Sequence, residues 1–279
     1  MFLFYVNIQG HMSKLSGWAL EIRQFIMDTI VSERMAKIDA AVNSEEREDD
    51  DAEPEDFTDA LLMHLKEDPI LNWQHIMFEL EDFIGGHSAV GNLVLITLVN
   101  VIKHPEVAVK IREEIDRATG RARNVDLFDK SQLPYTEATI FETLRTASSP
   151  IVPHVATEDT ELGGYAVPKD TVVFVNNLDF NLSETYWTDA GAFKPERFIN
   201  DKGEVIKPAH FIPFSTGKRT CIGQKLVLGF SFILIASIIQ HYDIVASPNR
   251  PPKTIPGMVA LPPGAFPLRL VPRKAPTCT

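Results

Sequence analysis

Cysteine is scarce in this sequence: only Cys221 and Cys278 occur among 279 residues, the second close to the C-terminus. So few thiols exclude a disulfide framework and a Cys-rich zinc cluster, and they point to a reducing compartment. A recognisable signal peptide or membrane anchor is not apparent either. Residues 1–8 are apolar but too short, and the run at 226–239 falls short of the roughly 20 residues that a membrane helix needs. Neither a signal peptide nor a transmembrane stretch is therefore expected in this chain. No basic stripe exists, which argues against nucleic acid as a partner. The glycine fingerprints of flavin and nucleotide sites are absent, no Pro/Gly/Ser-rich linker divides the chain, and no internal repeat is found.

What is present is ordinary globular material, 44% hydrophobic and 23% charged, enough for a sizeable core. Residues 1–279 read as one structural unit. The formal net charge is -11, and the segment 43–59 alone carries -9, with ten acidic residues against Arg47. Like charges at that density repel and extend the chain, so this segment reads as a solvated acidic loop.

Helical periodicity dominates the rest. Residues 18–38 place Trp18, Ile22, Phe25, Ile26, Thr29 and Ile30 on one stripe, so a helix precedes the acidic loop. A short amphipathic piece follows at 60–66, then a long apolar run at 73–102, interrupted by Gly85, Gly86 and Gly91 and stopped before Pro105. Glycine inside a helix costs about 1 kcal/mol against alanine, so three of them ask for a reason beyond helix formation. Pro105 suits the first turn of the next helix, 106–117, which Gly120 ends, and another helix is expected at 135–147. β-branched residues and a Gly163–Gly164 turn place a small sheet at 151–176, including the strand-like 171–175. Residues 177–211 read as irregular, a final helix runs from about Cys221 to His241, and a Pro-rich tail at 251–273 suits short edge strands. The fold class is mainly α with a small β portion.

The chemistry concentrates at Phe214, Gly217, Arg219, Cys221 and Gly223, where a loop opens into the last apolar helix. Unpaired amide N–H groups and the positive end of a helix dipole stabilise a negative sulfur there, with Lys218 and Arg219 close in sequence. Gly217 permits a tight turn beside a flat ligand, and Gly223 permits close packing. Arg219 can pair with a carboxylate of a ligand. A phosphate loop is excluded, because Ile212 stands where its first glycine belongs. Taken alone, a lone cysteine after a loop is more often a small buried hydrophobe. The five-point spacing instead resembles the haem-binding signature of the cytochrome P450 family.

Other segments carry the same resemblance. Glu142 and Arg145, at helical spacing i, i+3, would alone be a surface pair of little weight. With Arg197 in the segment 193–198 they are similar to the family's buried Glu–Arg–Arg arrangement, whose role is structural: it holds the cysteine loop. The stretch 149–154 resembles the family segment that lines the substrate pocket, and the resemblance assigns His154 to a haem propionate. A P450 fold, truncated at the N-terminus, is thus implied over about 56–273, with haem b held by iron ligation to the Cys221 thiolate. Phe214, Gly217, Arg219, His154 and Gly223 are the further cofactor-binding residues. A thiolate ligand donates electron density that favours O–O cleavage. The resemblance also implies electrons from NADPH–cytochrome P450 reductase or another separate donor. It places a full-length protein, through a membrane anchor expected only there, on the cytosolic face of the endoplasmic reticulum, with mitochondria as the second option.

One departure is informative. The family's long helix usually carries an acid and an alcohol over the haem for proton delivery. In register, Ser88 replaces the acid and Ala89 the alcohol, leaving Ser88, His87 or a water for that task. The segment 85–91, with 150–160 downstream, looks like the insect Spook-type P450s of ecdysteroid synthesis, which implies a sterol or ecdysteroid precursor as substrate. Two competing readings stand beside this one. A catalytically inert haem-binding or scaffold fragment is suggested by the lost acid–alcohol pair. A serine hydrolase is suggested by Gly86 and Ser88, although Val90 occupies the last glycine position of a nucleophile elbow; labelling by a serine-directed phosphonate, lost in Ser88→Ala, would be its sign.

Overall fold

The computed structural model of the protein describes residues 2–42, 53–147, 153–248 and 267–273. The acidic segment at 43–52, the pocket-lining stretch at 149–152, most of the tail and Cys278 lie outside the described residues. The chain folds as two compact units, Met1–His87 and Ser88–Thr279, where the sequence reads as one.

In the first unit, α1 (Phe2–Phe25) continues through a π-helical turn at Ile26–Val31 into α2 (Ser32–Val42). The stripe expected from Trp18 to Ile30 buries only Ile26; Trp18, Ile22, Phe25 and Thr29 are exposed. The π turn rotates only the residues that follow its start out of the 3.6-residue register, which bears on Thr29 and Ile30; Trp18, Ile22 and Phe25 precede it and are exposed. Ile26 and Val31 instead join Leu62, Ile76 and Leu80 in a small core. Helix α3 (Phe57–Glu67) starts where the acidic segment ends. Asp56 is its N-cap, its carboxylate accepting from the Asp59 N–H at 3.0 Å. Arg34 of α2 pairs with Asp56 at 2.6 Å and Glu55 at 3.4 Å, so acids read as purely solvated also anchor this helix start.

Helix α4 (Trp73–Lys103) runs unbroken through Gly85, Gly86 and Gly91, each with open space where a Cβ would stand. Its C-terminal half enters the core of the second unit through Leu93, Val94, Leu98 and Val101. Around these pack α5 (Pro105–Thr119), α6 (Pro134–Ala147) and α8 (Gln224–His241). Pro105 opens α5, and Gly120 closes it in the left-handed region at φ 60°, its N–H reaching the Asp116 carbonyl at 2.9 Å. Helix α8 buries Leu228, Phe232, Ile235, Ala236 and Ile239 on one face and exposes Leu226, Phe230 and Leu234 on the other. Each fully buried side chain of this size contributes about 1.5–3 kcal/mol. Helices α4 and α8 are long and apolar enough to cross a membrane by length and composition, yet half of the α4 window is buried inside the protein.

The β portion is three two-stranded antiparallel sheets: β1 (His154–Val155) with β4 (Val172–Val173), β2 (Thr160–Leu162) with β3 (Tyr165–Val167), and β5 (Tyr242–Ala246) with β6 (Leu268–Pro272). Gly163 and Gly164, at φ 59° and 85°, make the two-residue hairpin turn that only left-handed residues allow. The strand expected at 171–175 shortens to two residues because β1 offers only two partners. Residues 177–211 are less irregular than expected, holding α7 (Asn177–Asn181) and a 3₁₀ turn at Pro195–Phe198. The last helix begins at Gln224, three residues after Cys221, since Gly223 is its N-cap.

Candidate functional site

Phe211 and Phe214 pack on the core of the second unit, and the chain then emerges as a loop in which residues 216–222 are all exposed. Ser215 at φ 65° and Gly217 at φ 72° bend it twice through the left-handed region, and a 3₁₀ turn at Gly217–Arg219 follows. The Cys221 N–H donates to the Phe214 carbonyl at 3.0 Å, and the Cys221 carbonyl accepts from the Gln224 N–H at 3.4 Å. The thiol is exposed and in no disulfide. A Cβ at position 223 would stand 3.8 Å from its Sγ, so Gly223 keeps that side of the sulfur open. Arg219 is exposed as well, with no ion pair among the described residues.

The most heavily bonded ionic cluster of the described residues joins α6 to the segment 181–197. Glu142 and Arg145 of α6 are fully buried. Arg145 grips the carboxylate with two bonds, Nε to Oε2 at 2.8 Å and Nη2 to Oε1 at 2.7 Å, a fork geometry that suits guanidinium and carboxylate. Glu142 Oε1 also accepts from Arg197 Nε at 3.2 Å and from the Lys194 N–H at 2.8 Å. The remaining guanidinium donors meet backbone carbonyls: Arg145 reaches Asn181, Ala190 and Ala192, and Arg197 reaches Thr188, Asp189 and Ala192. Two cations and one anion thereby stitch the segment 181–197 to α6. The exposed-pair reading of Glu142 and Arg145 does not survive this burial.

Three interactions at the other end of α6 have no signal in the sequence. Glu114 of α5 accepts the Tyr135 N–H at 2.7 Å, the Thr136 N–H at 2.9 Å and the Thr136 hydroxyl at 3.0 Å, capping α6 from a neighbouring helix. Burial pushes the Glu114 carboxyl above its usual range, against the pull of those bonds. Glu196 accepts from Lys110 at 2.6 Å and from the Tyr135 hydroxyl at 3.0 Å, and burial with this carboxylate nearby raises the phenol. Only i to i+4 or motif spacings are legible in one dimension, and these partners lie 21 to 86 residues apart.

His154 sits half-buried on β1, paired through its backbone with Val173. His87 and Ser88 lie inside the unbroken α4, where the His87 Nδ1 bonds the Ile84 carbonyl of its own helix. A carbonyl only accepts, so this bond forms when Nδ1 carries the hydrogen, which leaves Nε2 for a second partner. No strand leads into Ser88, so the strand–turn–helix setting of a nucleophile elbow is not formed. Directly joined among the candidate residues are Glu142, Arg145 and Arg197, and Phe214, Cys221 and Gly223; His154, and His87 with Ser88, are held by other elements.

The fold is mainly helical, with an exposed cysteine loop just before its last helix and a buried Glu–Arg–Arg cluster on α6. The model of the family described as Cytochrome P450 matches residues 6–269. The chain is 43% identical to "Cytochrome P450 307a1" of Drosophila melanogaster, covering 97% of this chain and 52% of that one. Identity is 34% both to "Cytochrome P450 2U1" of Bos taurus, over 90% of this chain and 47% of the relative, and to "Farnesoate epoxidase" of Bombyx mori, over 73% and 42%. The chain belongs to the cytochrome P450 family, which is a family of haem–thiolate oxidoreductases. It spans about half the length of the curated relatives it matches.

The residues present suit that cofactor. Cys221 offers an exposed soft sulfur, Arg219 an uncommitted cation, and Gly217 and Gly223 a backbone without side chains on either side. Among the described residues no group of three His, Cys, Asp or Glu side chains is placed to hold a metal ion.

Proposed function

We propose that this chain is the haem-ligating part of a cytochrome P450 monooxygenase that oxidises a sterol or ecdysteroid precursor. The observation that carries the reading is the exposed Cys221 thiol on a loop closed by its own N–H, with Arg219 two residues before it. Cys221 would hold the haem iron through its sulfur, Arg219 and His154 would pair with the carboxylates of the cofactor, and Phe214, Gly217 and Gly223 would shape the loop beside it. Glu142, Arg145 and Arg197 join α6 to the segment 181–197. When bound, thiolate-ligated haem supplies dioxygen activation, with electrons from NADPH–cytochrome P450 reductase or another separate donor.

Proton supply falls to α4. With Nδ1 committed to the Ile84 carbonyl, His87 can accept a proton at Nε2 and pass it on, and Ser88 can relay one through its hydroxyl. Support for a sterol comes from the Spook-type segments at 85–91 and 150–160 and from 43% identity to an insect P450. For the whole protein this reading expects the cytosolic face of the endoplasmic reticulum membrane, with mitochondria as the second option.

The test is the reduced carbon-monoxide difference spectrum of the haem-supplied chain beside Cys221→Ala. A strongly red-shifted Soret band that vanishes in the variant is expected, and the same band in Cys221→Ala overturns the ligand assignment. For the substrate, a sterol that perturbs the Soret band and is turned over with reductase and NADPH by a full-length form is expected. Intact haem without turnover would favour an inert haem-binding scaffold.

A further inference from the structure

Resting on the thiolate reading of Cys221, we propose that Thr220 is a positioning residue whose hydroxyl latches the neck of the cysteine loop. The Phe214 carbonyl is the shared acceptor. It takes the Cys221 N–H at 3.0 Å and the Thr220 Oγ1 at 3.2 Å, and the same hydroxyl lies 3.4 Å from the Ser215 carbonyl. Residues 216–222 send no side chain into the core, so these bonds are the attachments that close the loop on the anchored side of Phe214.

The loop has a reason to open. Ser215 is held at φ 65°, a region that an L side chain enters at a cost, with its N–H on the Ile212 carbonyl at 3.1 Å and its own carbonyl at the closed neck. The 3₁₀ turn at Gly217–Arg219 adds one more bond, Thr220 N–H to the Gly217 carbonyl at 3.2 Å, which bends the loop but does not close it. Cys221 follows Thr220 directly, so freeing the Thr220 side chain loosens the peptide that aims the sulfur. Arg219 on the preceding residue shares that fate. The latch therefore holds the ligand and its neighbouring cation in one arrangement before the cofactor arrives, which lowers the ordering cost of binding.

The experiment compares the wild-type chain with Thr220→Val, Thr220→Ser and the double variant Thr220→Val/Ser215→Gly. Amide hydrogen exchange at Cys221 is followed in the haem-free chain, and the thiolate and non-thiolate carbon-monoxide bands in the haem-supplied chain. Valine keeps the shape of threonine and removes the hydroxyl. Thr220→Val is expected to speed Cys221 exchange roughly three- to ten-fold, the range one hydrogen bond accounts for. Amides of α6 and α8 stay unchanged, and the non-thiolate band grows. Thr220→Ser restores the wild-type pattern, and Ser215→Gly slows exchange in the valine background by removing the strain that opens the loop. Unchanged exchange in Thr220→Val overturns the latch. The two readings fail separately: faster exchange in Thr220→Val without any thiolate band in the wild type keeps the latch and discards the ligand, and a Cys221-dependent band indifferent to Thr220→Val does the reverse.

Discussion

Replacing Glu142 by Gln tests whether the buried ionic cluster holds the second unit together. The amide keeps the side-chain volume, but it removes the charge that serves Arg145, fully buried, and Arg197, whose side chain is 10% exposed. It also turns an N–H₂ group toward donors at one of the two oxygen positions. Removing one partner of a buried pair costs about 3–5 kcal/mol, because the other charge is left buried without its counter-ion. The backbone carbonyls of Asn181, Ala190 and Ala192 still accept from Arg145, which places the expectation near the lower end, about 3 kcal/mol. In a unit of this size that lowers the melting midpoint by about 6–12 °C. The assay is urea and thermal unfolding of the haem-free chain, read from Trp187 fluorescence in a Trp18→Phe/Trp73→Phe background. Trp187 is a local reporter, since the Arg145 guanidinium lies 5.2 Å from its ring. Glu33→Gln, which breaks an exposed i, i+4 pair with Lys37 at 3.6 Å, is the control and costs at most about 0.5 kcal/mol. A Glu142→Gln cost no larger than the control's would refute the reasoning: the cluster would then be geometry without consequence for stability.

Three further outcomes follow from the same structure. Arg219→Ala leaves the urea midpoint unchanged, since the side chain is exposed, but weakens haem binding roughly ten- to a hundred-fold, as loss of a charge-assisted pair does; haem titration of the two chains checks it. Asp129 is held at about 2 by the Arg123 guanidinium and the Asp126 N–H, below its ordinary 3.8, so its stabilising contribution is present above the ordinary value and is lost as pH falls through about 2. Asp129→Asn should therefore remove part of the acid slope of stability below about pH 4, measured by urea midpoints from about pH 6 to about pH 2, and an unaltered slope would discard this pair as its source. Ser88→Ala in a full-length form alters turnover while leaving the thiolate band in place; loss of the band instead would give Ser88 a structural role.

Much of this protein is legible in its sequence. The helices at 73–103, 105–119 and 134–147, the Gly163–Gly164 turn and the cysteine loop all show there, because each is governed by neighbours within a few residues: apolar spacing, Pro at a first turn, Gly at a left-handed cap. Periodicity places Trp18, Ile22 and Phe25 along a helix, but whether such a face is covered depends on what packs against it, and these three side chains are exposed. The last helix starts at Gln224, three residues after the expected Cys221, because the N-cap at Gly223 is a matter of backbone angles that composition does not mark.

By itself the sequence determined the identity and order of the reactive groups: the Cys221 thiol, an arginine two positions before it, glycines on either side, and a glutamate and two arginines in register upstream. Local rules and spacing suffice for that. Only the tertiary structure decided what these groups do to one another. Whether Glu142 and Arg145 form a weak surface pair or a buried cluster depends on Arg197 and the carbonyls of 181–192 arriving from more than about thirty residues away. Likewise Glu114 becomes the cap of α6, and the Phe214 carbonyl the latch acceptor for Thr220, only once folding supplies the distances. Burial, charge pairing and hydrogen bonding are short-ranged in space and indifferent to separation along the chain, which is why three dimensions were needed to reveal them.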